Sequence, residues 1–136
     1  MINQIFSVTP TKTRQVEFPA TVTVGGTPLF VGALPCINLD SYQSNVGGAT
    51  NYFDGAYSVP VVAANSISPF VGAAIKPGDP IYALGGVRDA TTNVLTGFTL
   101  CADSAGILWG YLDPTEQTIA SGQTNDAATV SIAGKI

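Results

Sequence analysis

Hydrophobic residues in this chain come in short, often alternating runs, and glycine or proline interrupts them before a helix of any length can form. No stretch free of both exceeds 11 residues, the longest being 36–46 and 123–133. Neither has an apolar stripe at helical spacing, so strands are the natural reading. β-Branched and aromatic character predicts strands at 15–18, 20–24, 29–31, 58–63, 80–83, 97–102, 106–112 and 128–132. Thr21-Val22-Thr23-Val24 and Thr129-Val130-Ser131-Ile132 alternate polar with apolar, the mark of a sheet with one buried face on the outer wall of a barrel or sandwich. Gly25-Gly26 and Gly85-Gly86 each follow such a run and supply the positive φ that tight hairpin turns need. Asp113-Pro114-Thr115-Glu116 has the form of a helix start, with an N-cap residue, proline and an acid in the first turn, and predicts one short helical turn ending before Gly122.

The chain of 136 residues suffices for one domain with a hydrophobic core. Its first part reads differently from the rest. Residues 6–14 are polar and threonine-rich, and Phe18-Pro19 closes the segment. The expected organisation is an extended N-terminal arm over 1–19, held by whatever it lies against, and a single β-rich domain over 20–136. A frayed terminus is the alternative for the arm. Phe30-Val31-Gly32-Ala33 recurs as Phe70-Val71-Gly72-Ala73, which marks either two similar hairpins or a coincidence of composition.

Composition changes the picture from fold to surface. Hydrophobic residues make up 46% and charged residues 10% of the chain, against roughly 25% charge in ordinary soluble domains. Much of the surface is therefore neutral, which suits a surface that spends its life covered; a secreted or stress-resistant β-protein solvated by Thr, Ser and Asn is the alternative. The net charge is −4, and the cations Lys12, Arg14, Lys76, Arg88 and Lys135 are scattered singly. Phosphate binding needs them clustered, so direct nucleic-acid binding is not expected. No apolar run approaches the roughly 20 residues that cross a bilayer, and the start lacks the basic and apolar regions of a signal peptide. The expectation is a protein made and kept in the cytoplasm, or carried out of it inside an assembly.

Candidate chemistry is sparse. With no histidine, Ser-His-Asp and Cys-His arrangements are excluded. Cys36 and Cys101 stand far apart without a Cys-x-x-Cys pair; reduced, buried thiols are the default and a disulfide the alternative. Asp40, Asp54, Asp79, Asp89, Asp103, Asp113 and Asp126 fall beside predicted turns, where aspartate bonds nearby backbone amides. In Asp103-Ser104-Ala105-Gly106 an extra residue breaks the aspartic-protease signature, and no phosphate loop, dinucleotide fingerprint, calcium loop or nucleophile elbow is present. No enzymatic activity, metal or cofactor is expected. The aromatics are better candidates for contact. Tyr52, Phe53 and Tyr57 fall in a Gly/Asn/Ser-rich segment and are expected as loop contacts. Trp109 and Tyr111 alternate in a predicted strand and should share a face, with Trp109 in the core.

Three pieces of the chain resemble the small capsid decoration, or cement, proteins of tailed bacteriophages. Gly78-Asp79-Pro80-Ile81-Tyr82 looks like that family's Gly-Asp-x-Val-Tyr strand entry. Gly106-Ile107-Leu108-Trp109-Gly110-Tyr111-Leu112 stands where the family has a Gly-x-Ala strand, and Ala128-Thr129-Val130-Ser131-Ile132 closes the match, which spans 59–136. The longer region 34–57 departs from the pattern and reads as an inserted loop. The resemblance implies an all-β fold, a small β-barrel or β-tulip-like domain; the extended N-terminal arm, a second departure from the family's pattern, and at most one short helix come from the reading above. It implies a structural protein, a homo-oligomer with a trimer favoured, that sits on the capsid exterior of a virion and clamps neighbouring major capsid protein subunits. Phe6, Thr9, Pro10, Thr11, Lys12 and Arg14 are then the capsid-binding arm. Two alternatives stay open: a carbohydrate- or host-surface-binding module stacking sugars on Tyr52, Phe53, Tyr57 and Trp109, and a tail or baseplate component.

Overall fold

Among the described residues, eleven strands form in chain order: β1 (Thr13–Glu17), β2 (Pro28–Val31), β3 (Leu34–Asn38), β4 (Gly48–Tyr52), β5 (Ala56–Val62), β6 (Ala64–Ile67), β7 (Phe70–Gly72), β8 (Pro80–Arg88), β9 (Val94–Cys101), β10 (Ile107–Leu112) and β11 (Thr124–Ile132). The structure is a computed structural model and describes residues 12–134. Among these there is no helix, so the all-β, small-barrel expectation holds.

Five strands close into a barrel in the order β9-β5-β11-β10-β8, with β8 returning to β9. All neighbours are antiparallel except β5 and β9, which meet in parallel at Val62 and Cys101. A second group continues the sheet from β9 through β2 and β3 to β4 and β1, forming a wing. The separate β6–β7 hairpin stands beside the turn at Ser121 and Gly122.

Alternation explains the barrel wall. In β5, Tyr57, Val59 and Val61 point inward and are fully buried, while Pro60 between them is exposed. Trp109, Ile81, Leu100, Leu112 and Val130 fill the same interior. A second core under the wing holds Val16, Phe18, Leu29, Cys36, Phe53 and Val94. Strands β2 and β3 separate the two cores: Phe30 and Ile37 face the barrel, and their neighbours Leu29 and Cys36 face the wing. Buried on both faces, these strands read as continuous apolar pairs.

Pro60 has no N–H to give to β11. The ladder yields at that point: Asn125 pairs with Val61 and Ala128 with Val59, so β11 bulges around the proline. Asn125 Oδ1 accepts the Ala127 N–H at 3.0 Å and holds the bulge.

Several expectations need correction. Residues 20–24 do not form a strand. Val22 N–H bonds Pro19 carbonyl at 3.1 Å in a tight turn, and Asn38, buried on β3, donates to the carbonyls of Val24 and Asp40 while accepting the Thr27 N–H. These side-chain bonds win over β propensity. Gly26 keeps its positive φ of 79° in a turn entering β2, but there is no preceding strand for it to join as a hairpin.

Gly85 and Gly86 lie inside β8, not at its end. Their positive φ lets β8 press against β9, where a Cβ on Gly86 would stand 2.6 Å from the Thr96 carbonyl oxygen. The turn moves to 89–93 because Asp89 Oδ2 accepts both the N–H and the hydroxyl of Thr92 at 2.8 Å.

Asp113 does cap a turn, accepting from the N–H and hydroxyl of Thr115, but no helix follows. Glu116 instead reaches across to accept the Thr129 N–H at 2.7 Å. Region 34–57 is not an inserted loop; it supplies β3, β4 and the start of β5. The repeated Phe-Val-Gly-Ala is not a duplicated hairpin. Phe30 leads into a turn and is buried, whereas Phe70 leaves one and is exposed.

The arm over 1–19 is corrected in its second part. Thr13–Glu17 pairs along its whole length with β4, and Phe18 beyond it is 1% exposed. Val16 and Phe18 fall on the wing core, which draws this segment into the domain. Phe6, Thr9, Pro10 and Thr11 lie outside the described residues.

Candidate docking surface

Four of the acids are engaged locally. Asp79 accepts the Lys76 N–H at 2.9 Å, Asp103 the Ala105 N–H at 2.9 Å, and Asp89 and Asp113 the turn bonds described above. The Thr92 amide, then its hydroxyl, hold Asp89 below the usual carboxylate range. These four carry the turn chemistry read from the sequence. Among the described residues, no three Cys, Asp or Glu side chains gather in a group suited to a metal.

Both cysteines are buried and unbonded to each other. Burial pushes the Cys36 thiol up from 9.0 to about 12, against the opposing pull of the Asn51 amide and the backbone at Val31. Cys101 is raised by burial, and Tyr57 by burial and the Asp54 charge. The unfolded chain releases the Cys36 proton near its ordinary value, while the folded chain keeps it to about pH 12. Stability from this group is therefore complete below about pH 9 and falls as pH rises toward 12. The limiting slope for one such proton is about 1.4 kcal/mol per pH unit. Urea midpoints are expected to hold steady from neutral pH to the ordinary thiol range and then drop, with a shallower drop in Cys36→Ala. A flat alkaline limb in the unmutated protein would contradict this burial.

The aromatics expected in loops are inside. Tyr57 is fully buried and its hydroxyl donates to the Asp54 carbonyl at 2.8 Å. Phe53 is 3% exposed in the wing core, and Tyr52, half-buried, stacks on Tyr57 with ring centroids 6.0 Å apart. All three serve packing, so they cannot form an open stacking platform for a sugar. They sit on or beside β4, the strand missed when 34–57 was read as a loop, and at the start of β5, predicted only from 58.

Trp109 is core, as expected, and its Nε1 donates to the Leu29 carbonyl at 3.3 Å. Tyr111, however, is 43% exposed. The register of β10 against β8 shifts between Leu108 and Gly110, so Trp109 occupies a bulge that breaks the two-residue alternation.

Of the expected arm contacts, Lys12 and Arg14 are described, and both are exposed on and beside β1. Hydrogen bonds from Phe53 N–H to Lys12 carbonyl and from Phe18 N–H to Gly47 carbonyl show that even-numbered residues face β4. The backbone groups of Thr13, Gln15 and Glu17 therefore point to the outer edge. Arg14 Nη1 turns back onto the Thr13 carbonyl at 2.7 Å, and Glu17 flanks the strand, charges of the kind that guard an edge against chance pairing.

The surface also presents large apolar side chains. Val24, Phe70, Val71, Val87, Ile107 and Tyr111 are each at least 40% exposed. Val87 and Val24 border two adjoining grooves of about 420 and 360 Å³ that share Thr21 and Thr96. Phe70 and Val71 crown the β6–β7 hairpin. Sequence reasoning met Phe70 and Val71 only in the repeated Phe-Val-Gly-Ala and gave them no contact role. Their signal was the absence of charge, since no Asp, Glu, Lys or Arg occurs from 55 to 75. Comparison with known proteins finds no family model, no curated protein and no solved structure that matches this chain.

Proposed function

We propose that this protein is a structural docking protein, a capsid decoration protein that binds the outer surface of a phage shell and stabilises it by bridging major capsid subunits. The observation that carries the reading is a barrel that exposes several large apolar side chains in a chain of low charge. Charge opposes close packing of copies and partners, and its scarcity favours neutral contacts. Each such contact is weak, but repeated by symmetry over a shell the contacts add through avidity. The motif resemblance supports the same reading: Gly78-Asp79-Pro80 forms the turn that enters β8, and the two other matching pieces lie on the adjacent barrel strands β10 and β11.

The test is co-sedimentation with expanded, undecorated shells of its own phage, followed by heating. Binding with a raised disruption temperature is expected, and absence of binding would overturn the proposal. Removal of residues 1–11 leaves every described pair of β1 with β4 intact, so the truncated chain separates arm from wing. Weaker shell binding at unchanged unfolding midpoint is expected if attachment runs through Phe6 to Thr11.

A further inference from the structure

We propose that a neutral sugar ring binds on the outer wall of the barrel, in the pocket framed by the start of β6, the start of β8 and the turn after β9. Four residues lining that pocket, Asn65, Asp79, Tyr82 and Ser104, carry hydrogen-bonding side chains, and Ile75 and Ala102 add apolar surface. Its volume is about 270 Å³. A cavity of roughly 150 Å³ already takes a benzene ring, so one six-membered ring with its hydroxyls fits.

The walls are fixed without a ligand. Ala73 N–H bonds the Ala63 carbonyl at 3.0 Å, and Ala102 N–H bonds the Ala64 carbonyl at 2.9 Å. Ile75 and Ile119 exchange backbone bonds at 3.0 and 2.8 Å, and Asp79 Oδ2 accepts the Lys76 N–H at 2.9 Å. Walls already in place spare a ligand the cost of ordering them.

The polar side chains within these walls are not spent on the protein. Among the described residues, the side chains of Asn65, Tyr82 and Ser104 make no hydrogen bond, and Asp79 uses only one of its two oxygens. The amide and the two hydroxyls both donate and accept, and the carboxylate accepts strongly. Sugar hydroxyls need that mixture. An ammonium group needs acceptors alone; it would leave the amide and hydroxyl donors idle and meet one carboxylate, since Asp79 is the only acid or base of the Asp, Glu, Lys or Arg kind lining the pocket.

Two tyrosines serve the C–H face of such a ring. Ile81 and Leu112 point into the barrel, so Pro80, Tyr82 and Tyr111 stand on its outer face. Tyr111 is paired with Pro80 across the β10–β8 ladder and is 43% exposed. Tyr82 follows Pro80 on the same face and is half-buried. A tyrosine offers an apolar ring with a polar tip, which matches the two-sided surface of a sugar. Unlike Tyr52 and Tyr57, which stack on each other, Tyr111 has an open flank. The site requires no shell, so it stands apart from the decoration reading.

Saturation-transfer difference NMR on the full chain tests it, with the methyl pyranosides of glucose, galactose, mannose and N-acetylglucosamine as probes. Transfer to the ring protons of at least one of them is expected. Asn65→Ala and Tyr111→Ala, both at exposed positions, should each weaken that binding by about tenfold, the equivalent of one lost contact. Tyr111→Phe keeps the ring and should bind like the parent, as should Val87→Ala, exposed on β8 outside the pocket. Fluorescence of the buried Trp109 checks that each variant is folded. No transfer to any of the four probes, or transfer as strong in either alanine variant of the pocket as in the parent, would overturn the proposal. Tighter binding of n-butylammonium than of every pyranoside would overturn it too, and would assign the pocket to a lysine-like cation. A folded chain that binds shells but no pyranoside sinks this proposal alone, and failure to bind shells bears only on the decoration reading.

Discussion

Trp109→Ala is expected to lower the unfolding midpoint steeply, removing a large share of the protein's stability at neutral pH. The indole is fully buried at the centre of the barrel, in the bulge of β10, and its Nε1 holds the Leu29 carbonyl. Truncating a buried tryptophan costs about 3–5 kcal/mol when the surroundings cannot collapse into the space. Closed barrel walls collapse poorly. Domain stability is about 5–15 kcal/mol in all, so the loss removes a large share of it. Trp109→Phe fills most of the space but leaves the Leu29 carbonyl without its donor, for a loss of about 1–3 kcal/mol. Urea unfolding followed by circular dichroism orders the three proteins. If Trp109→Ala unfolds at nearly the parent midpoint, the ring is not where the barrel closes.

Gly48→Ala should release β1 from the wing. A Cβ at this position would stand 1.8 Å from the Val16 carbonyl oxygen and 2.8 Å from the Glu17 Cα, both backbone atoms that cannot rotate away. The strand must move as a unit, and with it Val16 and Phe18 leave the wing core. Exposing two such side chains costs about 3–6 kcal/mol. Because β1 is the last strand of the wing, the loss is local before it is global. Hydrogen exchange read by mass spectrometry should show lost protection over β1 and its partner β4, with protection across β5, β8 and β11 largely kept. Unchanged exchange in β1 would mean that the close approach of the two backbones is absent.

The all-β class was legible because glycine and proline leave no room for helices, and because buried strands such as β5 alternate cleanly. Turn chemistry was legible at Asp79, Asp89, Asp103 and Asp113, since an aspartate acts on amides only two or three residues away. The wing was not. Strands β3 and β4 are rich in Asn, Pro and Gly, and their packing depends on contacts with β1 and β2 that no local pattern records. Conversely, 20–24 looked like a strand and became a loop because Asn38, 14 residues beyond Val24, takes its carbonyl. The face of Tyr111 was misread for a similar reason: one bulge at Trp109 inverts everything after it. The candidate contact residues went astray together, because an aromatic in a Gly/Asn-rich run looks exposed until its partner strand is known. The exposed Phe70 and Val71 entered the sequence reading only as part of a repeated tetrapeptide, within a stretch that carries no charge.

The placement of Phe30 and Leu29 back to back on β2, with Ile37 and Cys36 likewise on β3, has a mechanical consequence. A wing joined through strands wedged between two cores has no hinge about which to swing. Turning it relative to the barrel would open both cores at once. A push or pull delivered at the outermost strand therefore travels through β4, β3 and β2 into β9 and the closed wall as a load on one stiff body.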